Sequence, residues 1–203
     1  MYNQETKQNF WDACHRDDVK LYLAGTTLDE SLDDFNIKTI NPDAACLVIG
    51  VGLGYEVQSL AEFTEHVDVV DISQIALDRV SAITEDQYLC DELHMLPHYN
   101  YDYIFSYLVT QHLCDKELSK QLYHCIKSLA PNGVFCMQFA FIVDGDTPEH
   151  VSIDNQCKGL ALRGLPHLSR LVDESGGFIA WASPVKKFEH TNIKHQFIHI
   201  KRL

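Results

Sequence analysis

The 203-residue sequence has no apolar run long enough to cross a bilayer and no excess of positive charge. Its 16 Lys and Arg residues stand against 29 Asp and Glu, which gives a net charge of −13 at pH 7. A transmembrane helix needs about 18 or more apolar residues in a row. A negative protein is repelled by phosphate backbones and anionic lipids. We therefore expect neither a membrane nor a nucleic-acid partner, and a small-molecule or protein partner instead.

Paired cysteines are also missing, because the seven cysteines include no CxxC motif and most lie in apolar stretches. This pattern is typical of buried thiols in a reducing compartment rather than of a disulfide framework or a zinc site. Residues 1–18 lack the basic and apolar regions of a secretory signal. We expect a cytoplasmic protein without a bound metal. The sequence gives no indication of its oligomeric state.

The sequence contains no internal repeat and no Pro/Gly-rich linker, so residues 1–203 are expected to form a single domain. Short apolar runs alternate with longer amphipathic stretches, which predicts an α/β fold. The expected architecture is a Rossmann-like, doubly wound, mostly parallel seven-stranded sheet with an antiparallel C-terminal hairpin. Residues 1–40 are expected to form a helical cap, and residues 144–164 an irregular insertion.

The apolar runs locate the individual elements of this fold. Strands are predicted at 45–49, 66–71, 88–90, 101–108 and 134–143, with two more within 178–203. Helices are predicted at 9–24, from the glycine run onward, after a Ser73 cap, at 116–130 and at 165–177. In the second helix Val57, Leu60, Ala61 and Phe63 should face the core. The Pro-Asn-Gly sequence at 131–133 should end the fourth helix.

The segment CLVIGVGLGYEV, residues 46–57, places Gly50, Gly52 and Gly54 in the turn between a predicted strand and a predicted helix. Without Cβ atoms, such a turn can bring a ligand against the backbone and against the N–H groups at the helix N-terminus. The alternative is a tight strand–helix turn without a ligand. A dinucleotide site prefers the spacing GxGxxG, and here Tyr55 takes the position of the third glycine.

Asp71 ends the second predicted strand, 21 residues after Gly50. A carboxylate at this position can accept hydrogen bonds from both hydroxyls of a ribose. The alternative is a helix-capping or solvated aspartate. The glycines and the aspartate together indicate a nucleoside-binding site more specifically than either feature alone.

Five segments resemble, in order, the successive motifs of class I S-adenosylmethionine-dependent methyltransferases. They are VIGVGLGYEV, VDVVDISQIALDRV, CDELHMLP, YDYIFSYLVTQHL and LAPNGVFCMQF. The resemblance implies S-adenosylmethionine as the cofactor and methyl transfer to an oxygen or nitrogen of a small-molecule acceptor. Because residues 144–164 are irregular, we expect them to cover the acceptor together with an N-terminal segment bearing Trp11 and Tyr22, although core packing of the two aromatics is the simpler interpretation.

The resemblance assigns cofactor contacts along the chain. Gly50, Gly52 and Gly54 would line the methionine and ribose end, Asp71 would bind the ribose hydroxyls, and Ile72 would pack on the adenine. Asp91 or Glu92 would accept from the adenine amino group, Leu93 would donate a backbone N–H, and Ser106 and Tyr107 would lie beside the methionine. The chain departs from the family at Val48, where an acid is usual, and at Cys90, where glycine is frequent.

His112 follows the fourth predicted strand and is the candidate general base, because imidazole titrates near neutral pH. The alternatives are a histidine that caps the next helix and a role for Gln111 in orienting the acceptor. Acidic residues at 144–149 could bind a metal, but the residues after them complete no metal pattern, and we favour a solvated loop.

Two other functions remain open at the level of sequence. The first is a non-catalytic S-adenosylmethionine-binding protein with a regulatory or scaffold role. The valine at position 48, where the family usually has an acid, supports this alternative. The second is a nicotinamide-dependent oxidoreductase, which the glycine spacing disfavours.

Overall fold

The computed structural model describes residues 4–16, 32–141, 149–151, 160–187 and 194–203. The strands are β1 (Cys46–Ile49), β2 (Val67–Asp71), β3 (Gln87–Leu89), β4 (Tyr101–Ser106), β5 (Leu129–Phe141), β6 (Glu149–Val151), β7 (Leu160–Leu162), β8 (Gly177–Ala182), β9 (Lys186–Lys187) and β10 (Lys194–Arg202). The helices are α1 (Gln4–Arg16), α2 (Tyr55–Leu60), α3 (Gln74–Val80), α4 (Asp115–Ser128) and α5 (Leu165–Glu174), with 3-10 segments at Cys90–Met95 and Thr110–His112.

The main sheet has the strand order β3-β2-β1-β4-β5-β10-β8, and the two-residue β9 pairs with β10. Strands β1 to β5 pair in parallel, whereas β10 runs antiparallel to both β5 and β8. Strands β6 and β7 form a separate antiparallel pair. The predicted mostly parallel sheet with an antiparallel C-terminal hairpin is confirmed.

Helices cover both faces of the sheet, which explains why its strands read as continuous apolar runs. Strand β1 shows this directly, because side chains alternate between faces along a strand. Leu47 and Ile49 pack in one core with α4 and α5. Cys46 and Val48 pack in the other core with α2 and α3.

The predicted apolar face of α4 is confirmed. Four of its predicted members, Leu118, Leu122, Cys125 and Ile126, are buried on α4, and the fifth, Leu129, is buried at the start of β5. The predicted end of this helix is wrong, because α4 ends at Ser128 and β5 begins before the Pro-Asn-Gly sequence. Residues 130–133 instead lie in an irregularity of β5, where Tyr101 pairs with Leu129 and Tyr103 pairs with Val134.

Two predictions for the N-terminal half need correction. Helix α2 ends at Leu60, so Val57 and Leu60 are buried but Phe63 lies in the following turn and is 44% exposed. Helix α1 begins at Gln4, earlier than the predicted start at residue 9, whereas residues 17–24 of that prediction, which include Tyr22, lie outside the described residues.

The buried-thiol prediction holds for Cys46, Cys125 and Cys136, whereas Cys114 is exposed. Within the described ranges, no helix has the length and apolar character that a bilayer crossing requires.

Candidate active site

A cavity of about 260 Å³ opens beyond the C-terminal ends of β1, β2, β3 and β4. Strand β1 lies between β2 and β4, so the strands that follow β1 are added first on one side of it and then on the other. This position is the topological switch point of the sheet. Ligands of open α/β sheets bind in the crevice at such a switch point. Helix α1 and the N-terminal half of α4 supply the remaining walls.

The glycine loop, residues 50–54, forms one wall of the cavity. All three glycines have positive φ, at 87°, 57° and 83° in chain order. A Cβ atom on Gly50 would lie 2.3 Å from Val109 Cγ2, and one on Gly54 would lie 2.7 Å from Val80 Cγ1. A Cβ on Gly52 would have nothing within 4 Å. Packing therefore requires Gly50 and Gly54, whereas Gly52 leaves its main chain open to a ligand.

Asp71 lines the cavity and also fixes the shape of the glycine loop. Its Oδ2 accepts the Val51 N–H at 2.7 Å, and its Oδ1 accepts the Ser73 N–H at 2.8 Å. The side chain is 6% exposed, which excludes a solvated aspartate. Burial raises the pKa of Asp71, and the N–H donors and His15 oppose that rise. A carboxylate has about four acceptor positions, so positions remain for a ligand.

The predicted adenine contacts divide into two groups. Ile72 and Leu93 line the cavity, together with Cys90. The carboxylates of Asp91 and Glu92 are not among the lining groups, because Asp91 is exposed and Glu92 accepts the Leu89 N–H at 2.8 Å within its own 3-10 turn. The structure therefore brings apolar side chains, and not these two acids, to this part of the cavity.

The β4 loop, residues 107–113, forms a second wall. Tyr107 lines the cavity, whereas Ser106 is fully buried behind it. Leu108 has a φ of 58°, which is strained for a residue other than glycine. Two glutamines hold that backbone, because Leu108 N–H donates to Gln138 Oε1 at 3.0 Å and Gln111 Nε2 donates to the Leu108 carbonyl at 2.8 Å. Gln111 thus has a local structural role.

His112 lines the cavity with its ring against the edge of Trp11, at a centroid distance of 5.1 Å. Burial, with a smaller effect of Lys7, lowers the pKa of His112 to about 4. The imidazole is therefore neutral at pH 7, and its Nε2 has no hydrogen-bond partner among the described residues. The capping box of α4 consists of Cys114 and Glu117, so a capping role for His112 is excluded.

Helix α1 contributes three lining side chains, Lys7, Trp11 and His15, which are spaced by four residues and lie on one face. Lys7 Nζ donates to both carboxylate oxygens of Glu117, at 2.6 and 2.7 Å. The sequence prediction included Trp11 but missed Lys7 and His15. Their regular spacing is visible in the sequence, but nothing local indicates that this face points to the cavity.

Several other predicted residues lie away from the cavity or outside the described residues. Val48 is a core residue that is 1% exposed. Asp144 and Asp146 fall in the range that the structure does not describe, as does most of the predicted insertion. Among the described residues, no group of three or more His, Cys, Asp or Glu side chains could hold a metal ion.

Arg163 fixes the segment that carries His112. Its side chain is 3% exposed, and Nε donates to Asp115 Oδ1 at 2.8 Å. Nη1 donates to the Thr110 carbonyl at 3.2 Å and Nη2 to the Leu113 carbonyl at 2.6 Å. The two carbonyls flank His112 in the chain, so this guanidinium determines the path of the β4 loop.

Replacing Arg163 with methionine should lower the free energy of unfolding by about 3 kcal/mol, because buried acceptors lose their donors. The matched control is Arg170→Met, at an exposed arginine on α5, which should change the stability by less than about 0.5 kcal/mol. Urea denaturation of both variants measures the difference. Equal midpoints for the two variants would contradict a structural role for Arg163.

Residues 47–137 match a family model described as a methyltransferase domain. The fold is similar to Burkholderia thailandensis 1,6-didemethyltoxoflavin-N1-methyltransferase, solved with 1,6-didemethyltoxoflavin and S-adenosylhomocysteine (TM-score 0.74, 11% identity, 98% of this chain and 88% of that chain). It is also similar to Haemonchus contortus phosphoethanolamine N-methyltransferase 2, solved with phosphomonomethylethanolamine and S-adenosylhomocysteine (TM-score 0.70, 16% identity, 100% of this chain and 60% of that chain).

A third similar structure is the [4+2]-cyclase SpnF (TM-score 0.67, 12% identity, 86% of this chain and 80% of that chain). At these identities the structures show a shared fold. No curated protein has a significantly similar sequence. The match covers the part of the chain from β1 into β5, and the fold is the one that these methyltransferases share.

Proposed function

We propose that the chain is an S-adenosylmethionine-dependent methyltransferase that acts on an oxygen or nitrogen atom of a small-molecule acceptor, with His112 as the general base. The observation that carries the proposal is the neutral imidazole of His112 in the same cavity as the glycine loop and Asp71. The two similar methyltransferases act on small molecules, as their names state, which supports this acceptor class.

The lining residues fit S-adenosylmethionine in chemistry. We place the ribose at Asp71, which keeps free acceptor positions, and the adenine against Ile72 and Leu93, which offer apolar surface. The methionine part of the cofactor would lie against the open main chain at Gly52. Its ammonium group needs an anionic partner, and Glu56 in the first turn of α2 is a half-buried carboxylate in the cavity wall. Glu56 would replace the acid that Val48 cannot supply.

The cofactor, when bound, supplies a methyl group that is already activated. The chain then has to orient the acceptor and exclude water from it. Trp11 supplies a broad apolar surface for that purpose and holds the His112 ring by an edge contact. His112 Nε2 is the atom that we assign to accept the proton of an acceptor hydroxyl or ammonium group.

The test of this function is product formation from radiolabelled S-adenosylmethionine over a panel of phenols, catechols, alcohols and amines. We expect S-adenosylhomocysteine and a labelled acceptor to form in equal amounts for at least one class. Cofactor binding without turnover on the whole panel would favour the second candidate, a cofactor-binding protein without methyl transfer. That candidate has support in the valine at position 48, where the family usually has an acid.

Replacing His112 with glutamine should lower kcat by about 10²- to 10⁴-fold, the usual contribution of general acid–base catalysis. The Kd of S-adenosylhomocysteine should stay within about twofold, because the cofactor contacts are on other residues. Parallel measurement of kcat and of cofactor binding separates the two effects. An unchanged kcat would exclude His112 as the base.

The pH dependence of His112 offers an independent check. Because its folded pKa is about 4, below the ordinary 6.5, the base form should persist down to about pH 5. Activity that depends on His112 should therefore be flat from pH 8 to about pH 5.5 and fall as the pH approaches 4. NMR titration of the His112 ring measures the pKa directly. A value near 6.5 would contradict the buried environment described above.

A further inference from the structure

One face of helix α1 lies over the cavity, and contacts along the helix hold it in place. Lys7 pairs with Glu117 on α4, and Asp12 accepts a hydrogen bond from Ser73 Oγ at 2.5 Å. Arg79 donates to the carbonyl of His15 at the C-terminal end of the helix. The groups that α1 presents to the cavity therefore have fixed positions.

His15 is the lining residue of α1 that lies deepest in the protein. It is 3% exposed, and its Nδ1 is buried without a hydrogen-bond partner among the described residues. An unpaired buried polar atom costs about 1–3 kcal/mol, and such atoms in native structures usually have a partner that completes them. Because His15 lines the cavity, a ligand in the cavity can be that partner.

The surroundings of His15 indicate which part of the ligand it meets. Its imidazole interacts electrostatically with the carboxylate of Asp71, which also lines the cavity. Burial lowers the pKa of His15 from 6.5, against the opposing effect of Asp71, so the ring is neutral near pH 7. A neutral imidazole has one nitrogen that donates and one that accepts a hydrogen bond, so His15 can bind a hydroxyl of the same ligand group that binds Asp71.

We propose that His15 is a cofactor-contacting residue whose Nδ1 hydrogen-bonds a ribose hydroxyl beside Asp71. The proposal rests on the placement of the ribose at Asp71 in the proposed function. Helix α1 is then part of the cofactor site as well as a wall for the acceptor. A ribose bound between β2 and α1 would contact a carboxylate from one side and an imidazole from the other.

The experiment is calorimetric titration of the full chain with S-adenosylhomocysteine and with its 2′-deoxy and 3′-deoxy analogues. His15→Phe keeps a ring in the site but removes the polar atom, and it should raise the Kd of S-adenosylhomocysteine by about five- to tenfold, the value of one hydrogen bond. His15→Asn can place an amide nitrogen near the position of Nδ1, and it should recover most of the affinity. For the analogue that lacks the contacted hydroxyl, wild type and His15→Phe should differ by less than about twofold.

The control is Asp12→Ala, which removes a contact of α1 with Ser73 but leaves His15 in place. It should change the Kd by less than about twofold. The proposal is overturned if His15→Phe has the wild-type Kd for S-adenosylhomocysteine, or if it raises the Kd of all three ligands by the same factor. It is also overturned if Asp12→Ala raises the Kd of S-adenosylhomocysteine as much as His15→Phe does. If wild type itself does not bind S-adenosylhomocysteine, the proposed function fails and this inference fails with it. If His15→Phe does not fold, His15→Ala replaces it in the same comparison.

Discussion

Replacing Asp71 with asparagine should raise the Kd of S-adenosylhomocysteine by about 100-fold. Both carboxylate oxygens accept backbone N–H groups, from Val51 and from Ser73, and an amide would turn one acceptor into a donor that faces a donor. The unsatisfied N–H lowers the stability of the free and of the bound protein alike, whereas the loss of a charged acceptor for the two ribose hydroxyls costs about 3 kcal/mol of binding, which is about 100-fold in affinity. Calorimetric titration measures the change.

The matched control is Asp68→Asn, three residues earlier on the same strand. Asp68 is 7% exposed, against 6% for Asp71, and accepts the Tyr101 hydroxyl at 2.5 Å and the Asp86 N–H at 2.9 Å. Asp68 lies outside the cavity lining, so the Asp68→Asn variant should lose stability. Its Kd for S-adenosylhomocysteine should stay within about twofold of the wild-type value. A similar loss of affinity in both variants would mean that Asp71 acts through folding alone.

The second large effect should follow from Gly50→Ala. The new Cβ would lie 2.3 Å from Val109 Cγ2, at a backbone φ of 87°. Left-handed backbone costs a residue with a Cβ about 1–2 kcal/mol, and overpacking adds about 1–3 kcal/mol. Because Gly50 and Val109 both line the cavity, their displacement should also lower cofactor affinity by more than about 100-fold.

Two further variants separate the causes of this loss. Gly176→Ala has nearly the same φ, 85°, but nothing within 4 Å of its Cβ, and it lies away from the cavity. It should lose about 1–2 kcal/mol of stability and keep its cofactor affinity. Adding Val109→Ala to Gly50→Ala removes the clashing methyl and should restore part of both losses. Thermal unfolding and calorimetry measure them, and full binding by the single Gly50→Ala variant would contradict the packing account.

The features that could be predicted from the sequence depend on local pattern. Continuous apolar runs identified the buried strands, because helices cover both sheet faces. The glycine run and Asp71 were recognisable because they occupy fixed positions at strand ends. Phe63 was misplaced because periodicity predicts a face without showing where a helix ends, and α2 stops at Leu60.

The features that could not be predicted depend on contacts between distant parts of the chain. Lys7 and Glu117 are 110 residues apart, and Arg163 is 50 residues from the carbonyl of Leu113. A repeat of four residues in α1 predicts a shared face, but only tertiary packing brings that face to the cavity. For the same reason, His15 has no local signal that distinguishes it from a core histidine.

The most direct test of the account is a crystal structure of the chain with S-adenosylhomocysteine. We expect the adenosine in the cavity beyond β1 and β2, with its ribose hydroxyls within hydrogen-bonding distance of the Asp71 carboxylate and its homocysteine beside the main chain of Gly52. An unfilled cavity at saturating ligand, or a ribose bound away from Asp71, would contradict the account.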